Sequence, residues 1–355
     1  MNVRDININR RTLLTGLAGL GLVPTVAACS SESGGAGTSG VELTKLTVGY
    51  QAAADYGLFY VGKEKGWFEE AGVDLELTLF TAGDAQIEAL ANNSTDISLQ
   101  GAQPALIAVQ KGVADLRFIA PIADAGSLFS VVADPSISGV EDLKGKKVAF
   151  QIGSAYEYYL DNVLAAYNMT QADIEVVNLN PLDGQGAFLS KNVDAVVPLA
   201  TSRYTILENR PDAKLIFSPE DFESAPNPRV FSVYDLIIVN GATLDEKRDA
   251  VQAVVTTYLE RIIPYVTSED TRDECIADLV KWQNEVVKAE TDEETVRQLI
   301  DSYGFYDASE AESVISGGEF TDQVTAQAEF LVSAGTLEGL PDIETMIDGS
   351  FVGAE

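Results

Sequence analysis

Apolar positions along this chain follow two periods, and the switches between them mark out its elements. Leu46, Val48 and Tyr50 alternate with polar neighbours, predicting a strand over 43–50. After a loop over 51–56, Leu58, Phe59, Val61 and the Trp67-Phe68 pair recur at helical spacing until Gly72 ends the helix. A second strand is predicted over 73–81, and Gly83-Asp84 opens a short helix with Ile87 and Leu90 facing inward. Further on, Gly101 lets the chain turn after a strand and Pro104 suits the first turn of the next helix. A strand over 116–122 leads through Asp124 to Ser127 into the apolar stretch 128–132, the candidate first crossing to a second lobe, which Asp134-Pro135 stops.

The same grammar continues in the middle of the chain. Val148, Ala149, Phe150 and Ile152 form a short apolar run consistent with a buried parallel strand, broken by Gly153-Ser154. Tyr156, Tyr159, Leu160, Val163, Leu164 and Tyr167 then recur at three- and four-residue spacing, giving a helix one apolar face. This is half a βαβ unit, with a helix starting at the carboxyl end of a strand. At such an edge, free N–H groups and the positive end of the helix dipole favour anionic or hydrogen-bond-accepting groups. Ser154 and Glu157 also have the spacing of a capping box, which needs no ligand. Strands are predicted over 174–179 and 195–199, and the long apolar run 231–240 returns the chain to the first lobe. Thr243 with Glu246, and Thr291 with Glu294, read as capping boxes of C-terminal helices that look like scaffold.

The N-terminal segment has a different character. Arg10-Arg11 precedes a short apolar stretch ending in small residues before Cys29, the form of an export signal rather than of a span of about 20 apolar residues. The twin arginine points to the Tat route, and small residues directly before Cys29 resemble a bacterial lipoprotein signal with lipid on the Cys29 thiol; the alternative is an ordinary Sec signal with Cys29 incidental. Residues 30–40 are Gly/Ser-rich and predict a flexible tether. The expected organisation is therefore a signal peptide over 1–28, a lipidated tether over 29–41, lobe one over 42–130, lobe two over 131–235, and a return to lobe one with C-terminal helices over 236–355.

Charge and missing residue types narrow the chemistry. A net charge of −32 argues against nucleic acid, whose phosphates need clustered Lys and Arg. The chain has no His, which removes Ser-His and Cys-His nucleophiles and any His-ligated metal site. Of the two cysteines, Cys275 lies in a helical pattern and reads as a small core residue, so no disulfide framework, metal site or cofactor is expected.

The ordered series LTVGYQ, LFYVGKEKGWFEEAGVDLEL, STDISLQGAQPAL, DLKGKKVAF, QIGS, ADIEVVNLNP and VDAVV resembles the SsuA/THI5-like (NMT1) family of ABC-transporter substrate-binding lipoproteins. Members bind aliphatic sulfonates, taurine, nitrate or thiamine-pyrimidine precursors. The resemblance covers about residues 43–265. It implies an α/β, two-lobed periplasmic-binding-protein type II fold, with two mixed sheets flanked by helices and a ligand cleft between lobes. It also implies a monomeric receptor that closes on a small-molecule solute and delivers it to ABC permease and ATPase subunits, while held to the membrane by its lipid anchor. Under it the candidate ligand-binding residues are Gln51, Asp55, Tyr56, Gln100, Gly101, Gln103, Ser127, Gly153, Ser154, Tyr156, Asp183, Thr201 and Arg203. Several have structural alternatives: Asp183 as a helix cap, Asp55 as a solvated turn residue, Arg203 as a surface arginine.

Helix N-termini with Arg203 suit a sulfonate, whereas Asp55, Tyr56, Tyr60 and Tyr156 suit a flat heterocycle such as a pyrimidine. Family members that build the thiamine pyrimidine consume their own histidine, which this chain lacks. A carboxylate-based extracytoplasmic hydrolase is the alternative of another class, although acidic pairs are common here by composition alone.

Overall fold

The computed structural model describes residues 43–112 and 115–353; the signal, Cys29 and the tether lie outside the described residues. The first six strands are β1 (Thr44–Tyr50), β2 (Val73–Leu79), β3 (Ile97–Gly101), β4 (Leu116–Asp124), β5 (Val131–Ala133) and β6 (Lys147–Phe150). The other five are β7 (Glu175–Asn178), β8 (Ala195–Val196), β9 (Lys214–Phe217), β10 (Tyr234–Asn240) and β11 (Gly304–Phe305). They form two mixed sheets in the orders β11-β4-β10-β3-β1-β2 and β7-β6-β8-β5-β9.

In the first sheet β1 pairs in parallel with β2 and β3, and β10 inserts antiparallel between β3 and β4. Helices cover both faces there, so β10 reads as an unbroken apolar run in which Asp235 alone is not buried. Phe59 and Tyr258 stack at 4.9 Å between ring centroids beneath this sheet. Burying a phenylalanine such as Phe59, 0% exposed, contributes about 1.5–3 kcal/mol. Cys275 is buried in the same cluster, as its helical spacing predicted, and burial pushes its thiol up to about 12. In the second sheet β6 pairs in parallel with β7 and β8, while β5 runs antiparallel to β8 and β9.

Two passages join the sheets, from β4 to β5 and from β9 to β10. One carboxylate holds them together: Asp124 Oδ1 accepts from the N–H of Gly126 at 2.7 Å and from that of Val233 at 3.1 Å. The Ala125 N–H adds a 2.8 Å bond to the Val233 carbonyl. A Cβ at position 126 would stand 2.9 Å from Asp124 Oδ1, so this approach requires glycine. Phe129 and Phe231, one from each passage, meet at 6.0 Å and both pack on Tyr159 of the Ala155–Ala166 helix.

Three predicted helix starts shift. The helix after β10 is capped by Asn240, whose side chain accepts from the Ala242 N–H, and not by a Thr243–Glu246 box. The strand passes directly into the helix, and Lys247, drawn to Asp96 at 2.8 Å, breaks the helical backbone where the predicted box would continue. Asp292 rather than Thr291 caps the Glu293–Asp301 helix, because the Thr291 N–H is turned to Asn284. The Ala54–Glu64 helix begins inside the stretch expected to be loop.

Candidate functional site

The carboxyl ends of β1 and β3 and the start of β10 share one edge of the first sheet, since Asp235 lies opposite Gly101. In the second sheet β6 and β8 end together, and each is followed by a turn into a helix. Between these edges lies a cavity of about 740 Å³. Ala52, Ala53 and Ala54 line it from the first sheet, Leu128 and Phe129 from a passage, and Tyr156, Leu199, Ala200, Thr201 and Tyr204 from the second. Its remaining wall comes from the C-terminal region, from Gln283 through the loop 289–292 to Leu299 and Tyr303.

Two helices point their N-termini at this cavity. The Ala54–Glu64 and Ala200–Asn209 helices start at Ala53 and Leu199, neither start has a side-chain cap, and both lie in the wall. First-turn N–H groups have no partner within their own helix, so each end offers donors and a positive dipole end. An accepting group placed between them would contact both lobes.

Behind the wall lies an acidic pair, Asp55 fully buried and Asp235 half-buried. Asp55, 0% exposed, neighbours Asp235 and the Tyr303 hydroxyl, yet neither of its oxygens has a hydrogen bond of normal geometry. Burial, then the Asp235 charge, push its carboxyl well above the usual range. Burial pushes Asp235 up to about 6 against the hydrogen bond it accepts from the Tyr56 hydroxyl. Burial closes Asp55 itself off from water.

The structure brings Tyr156 and Thr201 of the expected residues into the cavity wall. Tyr156 packs on Phe129 at 5.4 Å, and burial pushes its hydroxyl up to about 12. Asp55 and Tyr56 lie behind the wall. Gln51 Nε2 and Gln100 Oε1 converge near Gly83, outside the lining; Gln100 is buried and donates to Ser98 at 2.9 Å. Gly101 begins the Ala102–Gln110 helix opposite Asp235, and Gln103 is half-buried on that helix, away from the lining. Ser127 is exposed beside Leu128. Gly153, at a φ of 76° that favours glycine, makes the turn after β6. Ser154 caps the following helix by accepting from the Tyr156 N–H at 3.2 Å, while Glu157 accepts from Gly153 instead of closing the expected box. Asp183 is exposed and held by Asn180, the actual helix cap, at 2.6 Å. Arg203 donates to the Tyr204 hydroxyl at 3.0 Å and lies over that ring, outside the lining.

Residues 283–303 were read as scaffold, and the structure corrects this by placing part of them in the wall. The interruption of helical periodicity at Ala289-Glu290-Thr291-Asp292 is the sequence signal that marks them.

Comparison with known proteins bears on the family and the fold. The model of the family described as NMT1/THI5 like matches residues 53–262. A binding protein of Brucella abortus is 29% identical, with the match covering 61% of this chain. That match spans less than two thirds of the relative, 63% of its length. A protein of Escherichia coli K12 named for binding aliphatic sulfonates is 32% identical over 52% of this chain and 56% of its own. The crystal structure of the periplasmic aliphatic sulphonate binding protein from Escherichia coli superposes with a TM-score of 0.69 at 20% identity, over 86% of this chain and 92% of that one. The fold is thus that of the periplasmic binding proteins, two mixed α/β sheets flanked by helices.

Proposed function

Because the chain belongs to the NMT1/THI5-like family, we propose that it is the extracytoplasmic solute-binding component of an ABC importer. It captures a small organic solute of the sulfonate, taurine or nitrate type between its lobes and delivers it to a membrane permease. The observation that carries this is the pair of uncapped helix N-termini, one from each sheet, in the wall of a single cavity. A group gripped by both ends favours the closed state, because only differential contact can shift a hinge equilibrium. The names of the matched relatives support the sulfonate assignment. Phe129, Tyr156, Tyr204 and Tyr303 in the wall favour a flat heterocycle as a second reading. Export with lipid on Cys29, followed by the Gly/Ser-rich stretch as a tether, is the matching cellular arrangement.

A thermal-shift screen against alkanesulfonates, taurine, nitrate, aminopyrimidines and riboflavin tests the proposal. A true solute at one hundred times its Kd adds about 2.7 kcal/mol to the folded state. A shift with aminopyrimidines alone selects the heterocycle; no shift with any member removes the proposed solute classes.

A further inference from the structure

At Gln283 the backbone and both neighbours are fastened while the side chain is not. The Arg272–Trp282 helix ends in one wide turn over Gln283–Val287, closed by a hydrogen bond spanning five residues instead of four. The Gln283 carbonyl accepts from the N–H groups of both Lys288 and Ala289, the latter at 3.1 Å. Lys288 adopts a left-handed φ of 64° to allow this, which is costly for a lysine. On one side Trp282 is fully buried, donates to the Tyr50 hydroxyl at 3.4 Å and lies against Gly57. On the other, Asn284 accepts from the Thr291 N–H at 3.0 Å and donates to the Thr291 carbonyl at 3.1 Å, which fixes the following loop. Between them the Gln283 side chain lines the cavity. The residue is only 8% exposed, yet its amide makes no hydrogen bond among the described residues and neither of its polar atoms is sealed off. The other amide of the wall, Gln298, already donates to Glu294 at 2.8 Å. Wide helical turns and left-handed non-glycine residues recur at functional sites, where a side chain must be aimed.

We infer that Gln283 is a specificity-determining residue whose amide hydrogen-bonds the bound solute directly. The inference rests on the solute-receptor function above and adds a side chain to a grip otherwise made by helix ends. Its Nε2 is an uncharged donor in a wall whose described residues include no Lys or Arg. An anionic group drawn to the two helix ends gains a third donor there, and removing that donor leaves a solute oxygen unpaired in the closed cleft. Because the backbone and both neighbours are fixed, the amide is already placed before the solute arrives, and little further ordering has to accompany binding.

Two substitutions of nearly the same size separate this role from packing. Gln283→Met removes the donor, and Gln283→Glu puts a carboxylate in its place; titration calorimetry on the purified protein uses ethanesulfonate, taurine and nitrate as probes. Losing one hydrogen bond to a charged group is expected to weaken binding about tenfold in Gln283→Met. Gln283→Glu is expected to weaken it further at pH 7.5, with the loss shrinking toward pH 5 as a glutamate among carboxylates takes up its proton. The quantity read is the ratio of variant to wild-type affinity, in which the titration of Glu208, Glu290, Asp292, Glu294, Asp55 and Asp235, present in both proteins, cancels. Urea midpoints are expected to match wild type. Affinities within twofold of wild type in both variants overturn the inference and leave the receptor function standing. So does an equal loss in both variants at every pH, or a loss that follows a lowered urea midpoint, since packing alone produces either. Silence of the folded wild-type protein with all three probes overturns the receptor function for this solute type and the inference with it.

Discussion

Asp235→Asn is expected to change the pH dependence of folding in a direction set by burial. In the folded protein Asp235 holds its proton up to about pH 6, against an ordinary value of 3.8. The unfolded chain releases that proton first. Between these two values the unfolded state is therefore favoured progressively, and stability present below pH 3.8 is lost as pH rises through 6. A displacement of about two units at 1.36 kcal/mol each gives a loss of about 3 kcal/mol. Asparagine cannot ionise, while its carbonyl still accepts from the Tyr56 hydroxyl, so the variant escapes the loss. It also removes a like charge from beside Asp55, which acts in the same direction. With 55 acidic residues in the chain, the quantity to measure is the difference between variant and wild type in urea unfolding at a series of pH values. That difference should move by about 3 kcal/mol in favour of the variant between pH 3 and 8. A difference that stays flat, or moves in favour of wild type, would refute the acidic-pair account.

Asp124→Ala is expected to cost about 2–3 kcal/mol in urea unfolding, because the Gly126 and Val233 N–H groups both lose their acceptor. Faster hydrogen exchange at those two amides would accompany it, and unchanged exchange would show that the carboxylate does not hold the passages together. Gly57→Ala places a Cβ 2.6 Å from two ring carbons of Trp282 and 3.0 Å from Leu279. Overpacking of this kind costs about 1–3 kcal/mol, read as a lower urea midpoint with shifted tryptophan emission, and a variant as stable as wild type would contradict the packing described.

Much of the architecture was legible because strand ends and helix starts are local events. The step from Phe150 through Gly153 to Ser154 needed only a run of apolar residues, a left-handed glycine and a capping hydroxyl, and the structure has all three. Tyr156 and Thr201 could be placed at the cavity because each follows a strand by a few residues. Gln103 and Asp183 sit at similar corners, yet they lie outside the wall. A corner fixes the height of a side chain on the sheet edge without fixing which neighbouring helix covers it. The segment 283–303 was opaque for the opposite reason: its periodicity describes its own packed face, and nothing local tells that its Glu293–Asp301 helix meets the Ala200–Asn209 helix. The state of Asp55 was hidden too, since a polar residue beside a strand end reads as solvated until Asp235, far along the chain, is known to lie next to it.

The position of β10 imposes an order of assembly. Its partners β3 and β4 are complete by Asp124, yet the strand that bridges them arrives only at Tyr234, after every strand of the second sheet has emerged. Until then β3 and β4 each present an unpaired edge of backbone donors and acceptors, a template for pairing with another chain. The first lobe cannot finish folding before the second has been synthesised, and such long-range closure is slow. Truncation just before β10 would therefore leave β3 with an open edge and β4 with no partner strand, so the strand that returns the chain also protects it from aggregation.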